Sequence, residues 1–321
     1  MQPIPVSALS PQHPIALIMS PRLGDSLLLM TIAHNLSLSG YQVTVFGTFA
    51  YELRRWFPRI TIEPALEQMF DTKFDVERDM HPDTASLVPI FKPFGTVIQV
   101  HPDIPVAQLS RLHPNVVSFA QWITPYEYDT RHALDQLLDF CEHRFTPQAW
   151  GRANGISAPD GLRYRLHAQR VVIHPSASHP SKAWSAQRFI QLARRLRARG
   201  FEPVCVVAPS EASHWQGLRE LGLDLKVCAS LDELAALLHE SGWFIGNDSG
   251  VGHLASSLGI PTVSIFARVC SAGRWRPIWA PGCVVQHVWL PGGALRRRFW
   301  RYTVTVGGVM AALESLRKRG V

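Results

Sequence analysis

Residues 246–266 read GNDSGVGHLASSLGIPTVSIF. An apolar run, Trp243, Phe244 and Ile245, leads into them; small polar residues then crowd a few positions before a helical pattern and a second apolar run. Strand, tight polar turn, helix and strand in that order form the repeating unit of a parallel α/β sheet. Asp248, Ser249 and the backbone N–H groups from Gly250 to His253 gather at the start of the helix. Unpaired donors and the helix dipole favour negative charge at such a point. The same residues also suit an ordinary cap, with Asp248 or Ser249 capping and the glycines allowing close packing. The added density of Gly250, Gly252 and His253 favours the anion site.

Working outward, apolar runs near 171–174, 203–208, 225–228, 243–246 and 262–266 alternate with helical patterns at 185–199, 211–221, 231–240 and 250–258. The first half opens the same way: an apolar run at 15–19, the turn SPRLGD, a helical pattern to residue 38, Gly40 as a stop, and a run at 42–46. That is a βαβ unit. Between 63 and 101 prolines recur and the pattern weakens, with strands expected at 96–100 and 116–119. The segment 149–161 is rich in Gly, Pro, Ser and Asn and reads as the linker. The expected architecture is two doubly wound α/β domains, 1–155 and 162–321, facing across a cleft, with room for the last helix to pack back on the N-terminal domain. Open sheets of this kind bind ligands outside the carboxyl ends of their strands.

A chain of 321 residues that is 46% hydrophobic can bury a large core. Its net charge of +7 conceals an asymmetry: residues 1–160 carry 11 Lys and Arg against 16 Asp and Glu, or −5, whereas residues 161–321 carry 21 against 9, or +12. No acid occurs from 249 to 313, a window that holds Arg268, Arg274, Arg276, Arg296, Arg297, Arg298 and Arg301. Such a field attracts phosphate. The five cysteines form no CxxC pair, so neither a disulfide framework nor a zinc site is signalled, and reduced thiols are expected. No run approaches the roughly 18 apolar residues of a membrane span, and the opening MQPIPVSALSPQHPIALIMS lacks a basic leader region, which makes a cytoplasmic address the expectation.

Two further stretches carry polar groups at strand ends. HPSASHPSKAW follows the run at 171–174 and places His174, Ser176, Ser178 and Lys182 in a loop, where a lysine can meet a diphosphate as a point charge. The alternative is a solvated loop with a surface lysine. SPRLGDSLL puts Asp25 at the start of the first helix, either as a capping carboxylate or as a general base on a hydroxyl. GVGHLA has the outline of a dinucleotide-binding turn, but the acid that should follow about 20 residues later is missing, which disfavours NAD. There is no D-x-D pair, H-E-x-x-H, P-loop or G-x-S-x-G, so a departing diphosphate must be neutralised by protein groups and not by a metal. The run ALRRRFWRY mixes bases with aromatics; with no nucleic-acid motif beside it, anionic membrane is favoured over nucleic acid.

GNDSGVGHLASSLGIPTVSIF, HPSASHPSKAW and RLGDSLL together resemble the heptosyltransferase family, glycosyltransferases that add ADP-activated heptose to the lipopolysaccharide inner core. The resemblance implies the GT-B fold, with acceptor on the N-terminal side and donor on the C-terminal side, and inverting, metal-independent transfer without a cofactor. It also implies Asp25 as catalytic base, Lys182 as a donor-phosphate contact, and Asp248, Ser249, Gly250 and His253 as the donor-binding turn, to which Ser176 and Gly252 are added as neighbours. The implied partners are a nucleotide-sugar donor such as ADP-heptose and a glycolipid or other glycan acceptor. The chain departs from the family pattern at Thr31, Ser249 and Gly252, and the middle of its N-terminal half matches little. Two other readings are a catalytically silent nucleotide-sugar-binding protein and a basic nucleic-acid-binding module.

Overall fold

The computed structural model describes residues 13–66, 84–100, 106, 109–119, 130–145, 150–286 and 299–321. The chain divides into two compact units, Met1–Ser157 and Ala158–Val321, the division falling inside the Gly- and Pro-rich segment 149–161.

The first unit is built on a five-stranded sheet of order β3-β2-β1-β4-β5. Its strands are β1 (Ile15–Ile18), β2 (Val43–Phe46), β3 (Thr61–Glu63), β4 (Thr96–Gln99) and β5 (Val116–Ser118), all parallel. β1 is buried throughout, as a central strand covered on both faces must be. Ala16, Ile18, Phe46, Leu87, Phe91 and Val97 form one core layer. The strands expected at 96–100 and 116–119 are β4 and β5, each one residue shorter.

The second unit holds a six-stranded parallel sheet of order β11-β10-β9-β6-β7-β8. The strands are β6 (His167–His174), β7 (Glu202–Val207), β8 (Asp224–Val227), β9 (Ser241–Asn247), β10 (Thr262–Phe266) and β11 (Gly282–Gln286). Alternate residues of four strands, among them Val171 and Ile173, Trp243 and Ile245, Val263 and Ile265, join helix Ala186–Ala198 in a single core. The final helix, Val306–Lys318, lies on this sheet against β10, β11 and helix Ala186–Ala198, burying Val306, Val309, Met310, Leu313 and Leu316 in the same core. The helix expected over 211–221 is divided into a 3-10 turn, Pro209–Glu211, and two short helices, Ala212–Trp215 and Gly217–Glu220. Gly217, the poorest helix former after proline, opens the second of them.

In each sheet the strand order reverses beside the first strand, between β1 and β4 and between β6 and β9. Loops leaving neighbouring strands there diverge to opposite faces and open a crevice at the carboxyl ends. Among the described residues no helix is long and apolar enough to cross a membrane. Cys141, Cys205, Cys228 and Cys283 are free thiols, and burial pushes Cys205 up to about 12.

Candidate functional site

β6 ends at His174 and β9 at Asn247, so the two polar stretches singled out in the sequence leave the second sheet side by side at its reversal point. Gly246 pairs in register with His174, and a Cβ on Gly246 would stand 2.7 Å from Phe244 Cζ and 3.1 Å from the His174 carbonyl oxygen. Only glycine lets the strands approach this closely where they part.

Asn247, 1% exposed, locks the two loops together. Its Nδ2 donates to the carbonyl oxygens of Pro175 at 2.7 Å and Ser176 at 3.3 Å, and its Oδ1 accepts from Trp184 N at 3.0 Å. A buried amide satisfied on both sides fixes geometry, because breaking any of these bonds strands a polar group in the interior. The 175–184 loop has further anchors. His179 caps the 3-10 turn Pro180–Lys182 by accepting from Ser181 N, and Pro180 sits at the first position, where its fixed φ fits. Trp184 Nε1 donates to the Val304 carbonyl at 3.0 Å, and Trp300 Nε1 to that of Ser181 at 3.1 Å.

Lys182 ends that turn and reaches across to the β9 loop, its Nζ donating to Asp248 Oδ2 at 2.9 Å. The lysine side chain is 44% exposed and the aspartate 13%, so the ammonium is accessible while the carboxylate is largely enclosed. Ser249 occupies the cap position of helix Gly250–Ser257, with extended backbone (φ −152°, ψ 160°), but its side chain makes no capping bond. Its hydroxyl contacts His174 Nδ1 at 3.3 Å instead. Burial pushes His174 down to about 4, against the opposing influence of the Glu211 carboxylate, and the ring is therefore neutral at physiological pH. The plain cap is thus realised in backbone position only, with no side-chain acceptor from Ser249 on the first-turn N–H groups.

The remaining expected residues divide by direction. Ser176 is buried and accepts from Trp215 Nε1 at 3.2 Å, which turns it into the protein as part of the loop's anchorage. Gly252 donates its N–H to the Ser249 carbonyl at 3.1 Å, and a Cβ there would meet Phe244, Pro277 and Ser264 at 3.4–3.8 Å, toward the interior. His253 is buried, edge-on to Trp279 with ring centroids 6.2 Å apart. Ser256, fully buried, accepts from Trp279 N at 3.0 Å and Ala280 N at 2.9 Å and ties the helix to the loop before β11. Asn247 and Ser256 were not singled out in the sequence. The signal for Asn247 was its place as the last residue of an apolar strand, where a buried amide is the simplest clamp.

In the first unit Asp25 is the third residue of helix Leu23–Leu38, whose cap is Arg22, so its carboxylate is not a cap. It lies just past the carboxyl end of β1, half-buried, accepting from Ser20 Oγ at 3.3 Å. Ser26 Oγ donates to the Ser20 carbonyl at 2.8 Å and closes the turn. Among the described residues no group of three or more His, Cys, Asp or Glu side chains gathers to hold a metal ion.

Two parallel α/β units with a polar, anion-suited turn at the second reversal point define the GT-B architecture. The family model of glycosyltransferase family 9 (heptosyltransferase) matches residues 130–288, which contain the whole β6–β9 constellation. Over those residues the chain resembles that family. It is 32% identical over 153 residues to lipopolysaccharide heptosyltransferase 3 of Escherichia coli, covering 45% of this chain and 43% of that protein. The chain is thus matched over less than half the length of its curated relatives. Among solved structures it is similar to ADP-heptose LPS heptosyltransferase II of E. coli, with a TM-score of 0.72 and 14% identity over 96% of this chain and 99% of that one. The E. coli heptosyltransferase WaaC with ADP gives a TM-score of 0.65 and 15% identity over 94% and 99%. At these identities the likeness is one of fold.

Proposed function

We propose that the protein is an inverting, metal-independent glycosyltransferase of lipopolysaccharide biosynthesis, moving a heptose or related sugar from an ADP-linked donor to a lipopolysaccharide-core or other glycan acceptor. The observation that carries the reading is the Lys182–Asp248 pair beside the open end of helix Gly250–Ser257. A partly exposed lysine is held there next to a helix N-terminus, which suits a diphosphate. Asp248 holds Lys182 in place; Ser249 and the N–H groups of Gly250 and its neighbours receive phosphate oxygens. Ser176, Gly252 and His253 shape the turn from behind, in keeping with their burial.

In the proposed reaction an acceptor hydroxyl oxygen attacks the anomeric carbon while the bond from that carbon to the diphosphate oxygen breaks. The electron pair leaves with ADP, whose growing charge falls on Lys182 and the turn's donors. The hydroxyl proton passes to Asp25. Preset donors aimed at developing charge are commonly the largest catalytic contribution. The metal-independent reading rests on the lack of a D-x-D pair in the sequence. The test is a single-turnover assay with ADP-heptose and a heptose-deficient lipopolysaccharide core, run before and after exhaustive EDTA treatment. Transfer that survives EDTA is expected. Donor binding without transfer would leave a silent binding protein, and transfer that vanishes and returns with magnesium would overturn metal independence.

A further inference from the structure

The positive charge of the second half is not spent at the Lys182 turn. Helix Ala186–Ala198 and its cap carry Arg188, Arg194, Arg195, Arg197 and Arg199 and no acid. The last four are exposed, and the buried side of the helix is apolar. Arg188, Arg195 and Arg199 are spaced by seven and four residues, so they form one stripe along the helix. At the upper end of that stripe Arg188 Nη2 donates to the Tyr302 carbonyl at 3.0 Å. This brings in two aromatic side chains that the core does not use: Tyr302 is 61% exposed and Phe299 40%, with ring centroids 6.2 Å apart. Trp300 between them is 1% exposed and belongs to the core. At the lower end Arg195 and Arg199 rim a shallow groove of about 420 Å³ whose other wall, from helix Val306–Lys318, includes Met310 and Glu314.

We infer that this face, the Arg188–Arg195–Arg199 stripe with the Phe299–Tyr302 pair, docks the protein on an anionic lipid bilayer. Arginines that protrude from the convex side of a helix reach a broad sheet of anionic headgroups without needing a cleft. Exposed Phe and Tyr rings supply the apolar contact that an interface of headgroup and acyl chain rewards. A threaded phosphodiester strand fits less well, because the groove that Arg195 and Arg199 rim carries the Glu314 carboxylate on its wall. The inference is independent of the proposed transfer, since it concerns side chains that take no part in the β6–β9 turn.

The experiment is cosedimentation of the full chain with unilamellar vesicles of phosphatidylcholine alone or mixed with phosphatidylglycerol. Binding is expected only with phosphatidylglycerol and is expected to weaken as salt rises. Each basic residue near such a surface is worth about fivefold in partition, so the double change Arg195→Ala/Arg199→Ala should weaken it roughly 25-fold. Phe299→Ser/Tyr302→Ser should weaken it at unchanged charge. Arg54→Ala/Arg59→Ala removes the same charge from exposed sites in the first unit and should leave partition unchanged. All these positions are exposed, and a thermal melt checks that each variant folds. Failure to bind phosphatidylglycerol vesicles, or equal losses in the control pair, would overturn the assignment. So would binding of a single-stranded oligonucleotide that these arginines govern while vesicle binding ignores them. None of these readouts depends on sugar transfer, so each proposal can fail alone.

Discussion

The two sheets share one strand order through their fifth strand, and in both the strand across the reversal point ends in a buried amide: Gln99 closes β4 and Asn247 closes β9. They use it differently. Gln99 bonds Val106 twice, Nε2 to its carbonyl at 3.0 Å and Oε1 from its N–H at 3.2 Å, a partner seven residues further along its own chain. Asn247 reaches the loop that leaves β6 and fixes two polar segments against each other. The first arrangement is local, whereas the second joins segments more than 60 residues apart in sequence. A preset anion site needs the second kind of bracing, because donors that must reorganise lose much of their electrostatic advantage.

The sharpest way to test the division of labour is to remove the proton acceptor assigned to the first unit. Asp25→Asn keeps the size and the Ser20 contact but cannot take a proton. Single-turnover transfer should fall by at least about a hundredfold, the usual contribution of a positioned base. Stability should fall by no more than about 1 kcal/mol, the worth of a carboxylate near a helix N-terminus. Near-normal transfer would leave Asp25 a helix-start carboxylate and remove the catalytic role from the first reversal point.

Acid should weaken the second reversal point. The folded pKa of His174 lies near 4, below its ordinary 6.5, so between those values the unfolded chain binds more protons. Its contribution is therefore complete above pH 6.5 and is lost as the pH falls toward 4, by roughly 3 kcal/mol in all. Burial lowers His34 and His239 as well, which adds loss in the same direction. Urea unfolding at about pH 7 and about pH 4.5 should show the decline, and His174→Gln should make it shallower. An unchanged slope in that variant would place the pH dependence elsewhere.

Two glycines of the same turn should respond with opposite signs. Gly246→Ala forces a Cβ to within 2.7 Å of Phe244 and should cost about 1–3 kcal/mol, with loss of ADP affinity as the strands part. Gly252→Ala adds a methyl at ordinary contact distances inside a helix and should stabilise by up to about 1 kcal/mol, leaving ADP affinity intact. Thermal melts and ADP titrations of both variants decide it. Destabilisation by Gly252→Ala would show that its space is needed and not merely available.

The second unit was the more legible because its strands are near-continuous apolar runs bounded by polar turns, and β10 falls at 262–266 as the pattern predicts. β9 runs two residues earlier and one later than its apolar core, since Ser241 and Asn247 are polar yet buried and hydrogen-bonded, which composition alone does not reveal. Of the basic and aromatic run at 294–302, the structure describes the last four residues and divides them, Trp300 into the core and Phe299 and Tyr302 to solvent. That division depends on tertiary contacts, such as Trp300 with Ser181, that no local pattern carries. The pairing of Lys182 with Asp248 was hidden for the same reason, being a contact between loops 66 residues apart. Asp25 stood out in sequence as a helix-start acid, but only the backbone of Arg22 shows that the cap lies three residues earlier. Of the weakly patterned stretch from 63 to 101, residues 67–83 and 101 lie outside the described residues.

If the loops that leave β6 and β9 bind the diphosphate of a nucleotide sugar, calorimetric titration of ADP into the full chain will register it. Saturable one-to-one binding is predicted, weakened by about 1–3 kcal/mol, or roughly fivefold to 150-fold, in a folded Lys182→Ala variant. Absence of ADP binding, or an affinity that Lys182→Ala leaves unchanged, would mean that these loops do not hold the diphosphate.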